Sequence, residues 1–290
     1  MKKPVKLGLI GVGAWGKNYL KTAAKMDNVS ISAVLRSSSS LISEFPDIYV
    51  ARDLDDLLSL CDGVVIATPP SSHEHLTIRS LEAGKPVLVE KPVSLNFAST
   101  KRMFDHSDKC KISLLAGHIH LFSLAFRVLR EWTSEWSPKF IDSLAGSFGP
   151  FRDYSPLLDW GPHDISMALS LFNRAPDEIK ANKIESGSGF MYELSLSFNP
   201  SFANLKFGNG LKNKHRAFSV FHEENEAVYD GNFYFKGKTV PTSPISPLEE
   251  LLTVFSTYIL TGKTDWRFDP FLSLETARIL EIASSITSTH

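Results

Sequence analysis

Short apolar runs alternate with amphipathic stretches over the first 120 residues, and this alternation restricts the fold more than any other feature of the chain. The apolar runs are nearly continuous, as in Val64-Val65-Ile66 and Val87-Leu88-Val89, which is typical of strands covered by helices on both faces. Strand and helix patterns in this order predict βαβ units. We therefore expect an α/β fold in which residues 1–118 form a doubly wound parallel sheet.

A different pattern begins at residue 119. Between positions 190 and 198, Phe, Tyr and Leu alternate strictly with Met, Glu and Ser, which indicates a strand with two unlike faces. Residues 203–207 repeat the alternation, and Asp230-Gly231-Asn232 separates two further apolar runs as a hairpin turn would. We expect residues 119–290 to form an α+β domain with a large, mostly antiparallel open sheet. Helices would cover one face and a partner subunit the other, which predicts a homodimer or a homotetramer.

Composition narrows the classes of partner. The 290 residues suggest two domains at about 150 residues each. With 31 basic and 32 acidic side chains the net charge is −1, which argues against nucleic acid or an anionic membrane surface as main partner. No apolar run approaches the roughly 18 residues that span a bilayer. Two cysteines are too few for a disulfide framework. We expect a cytoplasmic protein that acts on a small molecule.

A glycine-rich turn joins the first predicted strand to the first helix. In Gly11-Val12-Gly13-Ala14-Trp15-Gly16, the first glycine permits a tight turn, the second admits a pyrophosphate and the third lets helix and strand pack closely. The alternative is a turn without a ligand, but the strand–turn–helix context favours a dinucleotide in a Rossmann fold. We predict cofactor contacts from Gly11, Gly13, Ala14, Trp15 and Gly16.

The end of the second strand bears on the type of dinucleotide. An NAD site usually has a carboxylate here for the ribose 2′-hydroxyl, whereas this chain has Arg36, Ser37 and Ser38. An arginine with neighbouring hydroxyls can bind a 2′-phosphate. The sequence therefore predicts NADP, with NAD as the alternative. Arg36 could instead be a solvated residue of a loop.

The next two strands also end in polar residues, where open α/β sheets bind ligands. Thr68-Pro69 and His73 follow one strand, and Glu90-Lys91-Pro92 follows the other. We predict cofactor contacts from these residues, namely Thr68, Pro69, His73, Glu90 and Lys91. A partly desolvated Lys91 could donate to a substrate oxygen, although on chemistry alone it could equally be a surface cation.

Taken together, five segments of the chain resemble the glucose–fructose oxidoreductase, inositol dehydrogenase and rhizopine catabolism family of nicotinamide-dependent oxidoreductases. The segments are Gly11–Gly16, Thr68-Pro69 with His73, Gly84-Lys85-Pro86 leading to Glu90-Lys91-Pro92, Leu158–Asp164, and Pro247–Glu250 with Thr261–Lys263. The resemblance implies hydride transfer between a nicotinamide and a secondary alcohol or ketone, often of a sugar or cyclitol. It also implies that Lys91 contacts the reacting oxygen, that Asp159 and His163 contact or deprotonate the same hydroxyl, and that Pro92 follows a cis peptide.

The residues themselves agree with these roles. Pro162 suits the first turn of a helix, which would place Asp159 just before it and His163 near its positive end. There an imidazolium is disfavoured, so His163 could stay neutral and accept a proton. We predict His163 as the base, Lys91 as electrostatic donor and Asp159 as the residue that orients the substrate, although either Lys91 or His163 can shuttle the proton. Alternatively, Asp159 caps the helix and His163 is an ordinary polar residue.

Two segments depart from the family pattern. Many members have a glycine cluster shortly before Asp159, where this chain has a polar loop with Arg152 and Tyr154. Sugar-nucleotide-modifying members have a similar polar loop, so we predict Arg152 and Tyr154 as substrate-binding candidates. The second departure is the segment after the sixth strand, where the family usually has an arginine and a proline and this chain has residues 118–124, so we add His118 as a candidate. His118 fits a core position equally well. Neither a cysteine nor a carboxylate completes a metal set with His118 and His120, so we predict no metal.

Two other functions fit the same fold. A glycoside hydrolase can oxidise its substrate transiently with tightly held NAD and show no net redox change. A cofactor-binding regulator without catalysis would tend to lose the lysine and the histidine, and this chain retains Lys91 and His163.

Overall fold

The structure is a computed structural model that describes residues 3–35, 44–46, 48–134, 138–235, 238–240 and 245–288. Its strands are β1 (Val5–Ile10), β2 (Val29–Leu35), β3 (Tyr49–Val50), β4 (Gly63–Ile66), β5 (Val87–Glu90), β6 (Leu114–Gly117), β7 (Phe140–Phe148), β8 (Glu178–Ser186), β9 (Gly189–Phe198), β10 (Ser201–Gly208), β11 (Gly210–His222), β12 (Asn225–Tyr229), β13 (Phe233–Phe235) and β14 (Lys238–Val240).

The α-helices are α1 (Gly16–Ala23), α2 (Leu54–Ser59), α3 (His73–Glu82), α4 (Phe97–Cys110), α5 (Leu124–Thr133), α6 (Pro156–Phe172), α7 (Pro247–Thr261) and α8 (Pro270–Ser288). Short 3₁₀ helices lie at Pro70–Ser72, Ile119–Phe122 and Trp266–Phe268. No helix of the described ranges has the length and apolar character that crossing a membrane would require.

The chain divides into two compact units. The first comprises Met1–Gly117 and Ser246–Pro270, and the second comprises His118–Ile245 and Phe271–His290. The division predicted from sequence, 1–118 and 119–290, differs from this grouping at residues 246–270. The reason is the packing of α7 on the first sheet: a side chain at Gly63 of β4 would lie 2.7 Å from Ile259 and 3.2 Å from Phe255.

Described residues of the first unit form a sheet in the order β3-β2-β1-β4-β5-β6, with every pair parallel. This order confirms the doubly wound sheet predicted from the apolar runs. The strand order reverses between β1 and β4, and parallel strands end at one edge, so the loops that follow these two strands are neighbours. The glycine turn and Thr68 lie in these loops.

The second unit contains a sheet in the order β14-β13-β12-β11-β7-β10-β9-β8, within the part of the chain that is described. Its pairs are antiparallel except β7 with β10, which confirms the predicted mostly antiparallel sheet. Alternation along β10 buries Ala203, Leu205 and Phe207, while Phe202 and Lys206 are exposed. The two faces of the sheet therefore differ as the sequence pattern predicted.

Helix α6 begins earlier than predicted. It starts at Pro156, with the Ser155 hydroxyl accepting a hydrogen bond from the Leu157 amide at 3.2 Å. A serine cap followed by proline is a stronger start signal than Pro162, which lies inside the helix. Asp159 is consequently in the first turn and His163 in the second. The prediction that His163 stands at the positive helix end was wrong, because that effect fades beyond the first turn.

Candidate functional site

The three glycines of the turn after β1 differ in how much room a side chain would have at each position. Gly11 has φ of +91°, and a Cβ there would lie 2.8 Å from the Thr68 amide nitrogen. A Cβ at Gly16 would lie 2.1 Å from the Gly11 carbonyl oxygen. At Gly13, by contrast, no atom of the described residues lies within 4 Å of a built Cβ. Gly11 and Gly16 are therefore fixed by packing, whereas Gly13 leaves its backbone open to an approaching group.

This open side fits a dinucleotide phosphate. Gly13, Ala14 and Trp15 are exposed, and α1 begins directly after them. No described side chain caps the start of α1, and its first turn contains no acidic residue. The amide groups and the positive end of the helix are thus available to an anion. The residues present fit the pyrophosphate of NAD or NADP.

The predicted 2′-phosphate residues Arg36, Ser37 and Ser38 lie outside the described residues. The first acid after them is Glu44, whose carboxylate is bound by Lys21 at 2.8 Å and Lys17 at 3.1 Å. These two hydrogen bonds, the one from Lys21 first, lower the pKa of Glu44. The Glu44 carboxylate is therefore engaged with α1.

The loops after β4 and β5 are joined by a buried histidine. Nε2 of His73 lies 2.8 Å from the Thr68 carbonyl oxygen, and Nδ1 lies 3.1 Å from the carbonyl oxygens of both Pro92 and Val93. The His73 side chain is fully buried, and this burial lowers its pKa. Both ring nitrogens face protein carbonyls, so His73 fixes the two loops instead of presenting a nitrogen to a ligand. Thr68 and Pro69 themselves are partly or fully exposed.

Glu90 and Lys91 end β5 in different surroundings. The Glu90 side chain is buried, whereas Lys91 is half-buried. The Glu90 carboxylate accepts hydrogen bonds from Trp15 Nε1, from the Tyr19 hydroxyl and from the Lys91 amide. The Lys91-Pro92 peptide is cis, as the resemblance implied. Glu90 was predicted as a cofactor contact, and its carboxylate is instead occupied by these protein donors.

In the second unit, Asp159 is held by two residues of the preceding loop. Its Oδ2 accepts a hydrogen bond from Arg152 Nε at 2.8 Å, with the Asp159 side chain only 8% exposed and that of Arg152 46% exposed. Burial, followed by the Asp159 carboxylate, raises the pKa of Tyr154 to about 12. The three predicted residues are therefore brought together. The contact with Arg152 holds the Asp159 carboxylate in place at the start of α6.

A second histidine accompanies His163. The rings of His120 and His163 are in edge contact, and His120 Nδ1 lies 2.8 Å from the hydroxyl of buried Tyr229. His118, the histidine predicted from sequence, is buried and lies 3.2 Å from Ser273 Oγ. His118 directly precedes the 3₁₀ turn at Ile119–Phe122 and His120 lies within it, and no sequence pattern predicted this turn. Sequence reasoning thus missed Tyr229, and it considered His120 only as a metal ligand beside His118.

The helix that carries Asp159 and His163 is anchored by a buried ion pair. Asp164 is fully buried and accepts hydrogen bonds from Arg216 Nη1 of β11 at 2.6 Å and Ser143 Oγ of β7 at 3.0 Å. These contacts tie α6 to two neighbouring strands of the sheet. Among the described residues, no group of three or more His, Cys, Asp and Glu could hold a metal ion.

Comparison with known proteins agrees with this geometry. Residues 5–118 match the model of the glucose–fructose oxidoreductase, inositol dehydrogenase and rhizopine catabolism group, described as an oxidoreductase family with an NAD-binding Rossmann fold. Over residues 5–118 the chain is therefore similar to this oxidoreductase family. The matched residues include the glycine turn and the whole parallel sheet described above.

Relatives in the family differ in how much of their length aligns. An uncharacterised oxidoreductase of Streptococcus pneumoniae is 31% identical over 121 residues, which cover 41% of this chain and 33% of the relative. A scyllo-inositol 2-dehydrogenase (NADP⁺) of Bacillus subtilis is 24% identical and covers 61% of this chain and 54% of the relative. The chain therefore spans about a third to a half of these two relatives.

One relative matches along most of both chains. The UDP-N-acetylglucosamine 3-dehydrogenase of Acidithiobacillus ferrooxidans is 24% identical over 260 residues, 83% of this chain and 80% of the relative. Its solved structure superposes with a TM-score of 0.87 and covers 98% of each chain at 20% identity. This superposition shows a common fold.

Proposed function

We propose that the protein is an NADP-dependent oxidoreductase that transfers a hydride between nicotinamide and a secondary alcohol or ketone. The substrate is a sugar, sugar nucleotide, cyclitol or related small molecule. The observation that carries this proposal is the turn after β1, in which Gly11 and Gly16 are fixed by packing while Gly13 stays open. The match of residues 5–118 to an oxidoreductase family and the presence of both Lys91 and His163 support it.

Three observations support NADP over NAD. Arg36, Ser37 and Ser38 follow β2, where an NAD site carries a carboxylate. The next acid, Glu44, has its carboxylate on Lys17 and Lys21. The inositol dehydrogenase of Bacillus subtilis is named as an NADP enzyme. A 2′-phosphate would thus meet cations and hydroxyls instead of a carboxylate.

Oxidation of an alcohol requires that its hydroxyl proton leave as the carbon–hydrogen bond breaks. The bound dinucleotide supplies the hydride acceptor, or the donor in the reverse direction. We assign His163 as the base that takes the hydroxyl proton, because an imidazole side chain can accept and release a proton near neutral pH. The Lys91 ammonium stabilises the negative charge that develops on the oxygen. Asp159, fixed by Arg152, accepts a hydrogen bond from the substrate and orients it.

The outer face of the second sheet supports the proposal of a homodimer or homotetramer. Phe202, Phe140 and Phe221 lie side by side on neighbouring strands, with ring centroids 4.5 Å apart for the first pair and 5.5 Å for the second. Phe202 is 45% exposed. An aromatic row on an exposed sheet face is typical of a surface that a protein partner covers.

The decisive experiment is a substrate screen that follows nicotinamide absorbance with sugars, sugar nucleotides, cyclitols and dicarbonyls. We expect turnover with NADP(H), and isothermal calorimetry should detect NADPH binding without substrate. Product formation without any change in the redox state of the cofactor would favour the glycoside hydrolase. Dinucleotide binding without turnover on any of these classes would favour the regulator. Failure to bind either dinucleotide would contradict the proposal as a whole.

A further inference from the structure

Glu90 is a buried carboxylate to which the proposed reaction gives no role. It is 5% exposed at the end of β5, and its burial raises its pKa. Trp15 Nε1 and the Tyr19 hydroxyl both donate to Oε1, while the Lys91 amide donates to Oε2 at 3.2 Å. Three donors on one buried carboxylate indicate a specific structural task, because an uncompensated buried carboxylate is strongly destabilising.

Two of these donors lie at the start of α1: Trp15 is the residue that precedes the helix, and Tyr19 lies within it. Trp15 and Tyr19 are four residues apart, a spacing that places both side chains on one face of α1. Tyr19 is fully buried, and burial together with the Glu90 carboxylate raises the pKa of its phenol well above the usual value. Tyr19 therefore remains a hydroxyl donor throughout the physiological range.

Glu90 is also confined from the neighbouring strand. Gly117 of β6 is paired with Glu90, and a Cβ at Gly117 would lie 3.3 Å from Glu90 Oε1. Larger residues at this position would press on the carboxylate. The carboxylate is thus held between β6 on one side and α1 on the other.

We propose that Glu90 is a positioning residue for Lys91. Trp15 and Tyr19 hold the Glu90 carboxylate, so that the glycine turn and Lys91 keep a fixed spacing. Glu90 acts on Lys91 in two ways: it accepts the main-chain N–H of Lys91, and its charge attracts the ammonium group. This inference rests on the proposed function, in which Lys91 contacts the reacting oxygen.

The first test measures Lys91 without any substrate. In wild type, Glu90→Gln and Tyr19→Phe, the rate at which an amine-selective acylating reagent labels Lys91 is measured by peptide mass spectrometry. Lys85 is the internal control, since it donates to the Cys61 carbonyl at 2.8 Å and does not contact Glu90. We expect Lys91 of the variants to be labelled faster than in wild type, by about threefold or more relative to Lys85. The reason is that the Lys91 ammonium is no longer restrained by the Glu90 carboxylate. Equal relative rates in all three proteins would overturn the proposal.

The second test uses turnover on the substrate that the screen finds. Glu90→Gln and Tyr19→Phe should each lower kcat by about tenfold while the Kd for NADPH changes by less than about threefold. Tyr49→Phe is the matched control, because Tyr49 also donates to a carboxylate, Asp56, at 2.9 Å but on an exposed surface. It should leave kcat unchanged.

A double-mutant cycle separates positioning from general structural damage. If Glu90 acts through Lys91, adding Glu90→Gln to Lys91→Met should cause no further loss of kcat. A further tenfold loss in the double variant would overturn the proposal. Failure of wild type to oxidise or reduce any substrate would count against the proposed function, while the labelling rates would still decide the role of Glu90.

Discussion

The imidazole of His120 meets that of His163 edge-on, with ring centroids 4.7 Å apart and ring planes at 88°. The contact fixes the orientation of His163 on α6, because His120 is itself held by the Tyr229 hydroxyl at 2.8 Å. Tyr229 is buried against Phe126, with ring centroids 5.8 Å apart. His163 is therefore supported by a chain of rings that reaches into the core of the second unit.

Breaking this chain should reduce turnover without affecting cofactor binding. In His120→Phe the ring remains, but the hydrogen bond to Tyr229 is lost, so we expect kcat to fall about five- to tenfold. Tyr229→Phe, which removes the same hydrogen bond from the other side, should give a similar loss. Steady-state kinetics and calorimetry with NADPH measure both effects. Unchanged kcat in both variants would show that His163 needs no support from His120.

Loss of either proposed catalytic group should be far more severe. We expect His163→Ala and Lys91→Ala each to lower kcat by about 10²–10⁴-fold, because general acid–base and electrostatic assistance is removed. NADPH binding should persist in both. Lys101→Ala, which removes a cation paired with Asp105 on the exposed face of α4, is the control. A variant with near wild-type kcat would exclude its residue from the chemistry.

Cofactor choice should depend on Arg36. Removing a charge-assisted contact with the 2′-phosphate costs about 1.5–3 kcal/mol, so Arg36→Ala should weaken NADP binding by roughly tenfold to a hundredfold. NAD, which has no 2′-phosphate, should bind almost as before. Calorimetric titration with both dinucleotides measures the ratio. Equal losses for the two, or tighter binding of NAD by wild type, would contradict NADP specificity.

The Asp164–Arg216 pair should be a major contributor to stability of the second unit. Their side chains are 0% and 11% exposed, and removal of one partner leaves the other charge buried. We expect Arg216→Met to lower the free energy of unfolding by about 3–5 kcal/mol, measured by urea denaturation. Arg174→Met, which breaks the exposed pair with Asp177, should cost less than about 1 kcal/mol. Similar losses in the two variants would refute this ranking.

Association should depend on the aromatic row of the second sheet. Phe202→Glu places a charge between Phe140 and the partner surface, so we expect the oligomer to dissociate to the 32.3 kDa monomer in light scattering. Lys206→Glu, on the same face of β10 but outside the row, is the control. A wild-type protein that is monomeric at micromolar concentration would contradict the proposed assembly.

Sequence patterns predicted the fold best where the residues of a strand are also buried in the core, so that the apolar pattern and the packing agree. The apolar run Val87-Leu88-Val89 predicted a buried strand, and it lies within β5, which ends one residue later at Glu90. β8, by contrast, was not predicted, because no residue of Glu178–Ser186 is buried, six of the nine are exposed at the sheet edge and no apolar alternation marks the segment. An edge strand is defined by its neighbour, here β9, more than by its own composition.

Among the site residues, too, those with local requirements were predicted from sequence, whereas those that depend on distant contacts were not. The glycine turn was identified from sequence because the needs that it meets are local: Gly11 and Gly16 have no room for a side chain, and Gly13 leaves the backbone open. Glu90 and His73 were predicted as cofactor contacts, yet their polar atoms are engaged by protein donors and carbonyls from segments distant in the chain. His120 was passed over for His118, because only the 3₁₀ turn decides which histidine contacts His163. Residue type and spacing thus indicate chemistry, whereas long-range contacts decide which side chain performs it.

The unequal surroundings of the three turn glycines make folding and ligand binding separable by mutation. Gly16→Ala would force a methyl group into the Gly11 carbonyl, so a loss of NADPH affinity in that variant would report a damaged strand–helix junction. Gly13→Ala meets no described protein atom and leaves that junction intact. A designer who wishes to abolish dinucleotide binding in an otherwise native protein, for instance as an inactive scaffold or a genetic control, should therefore alter position 13 and leave positions 11 and 16 untouched.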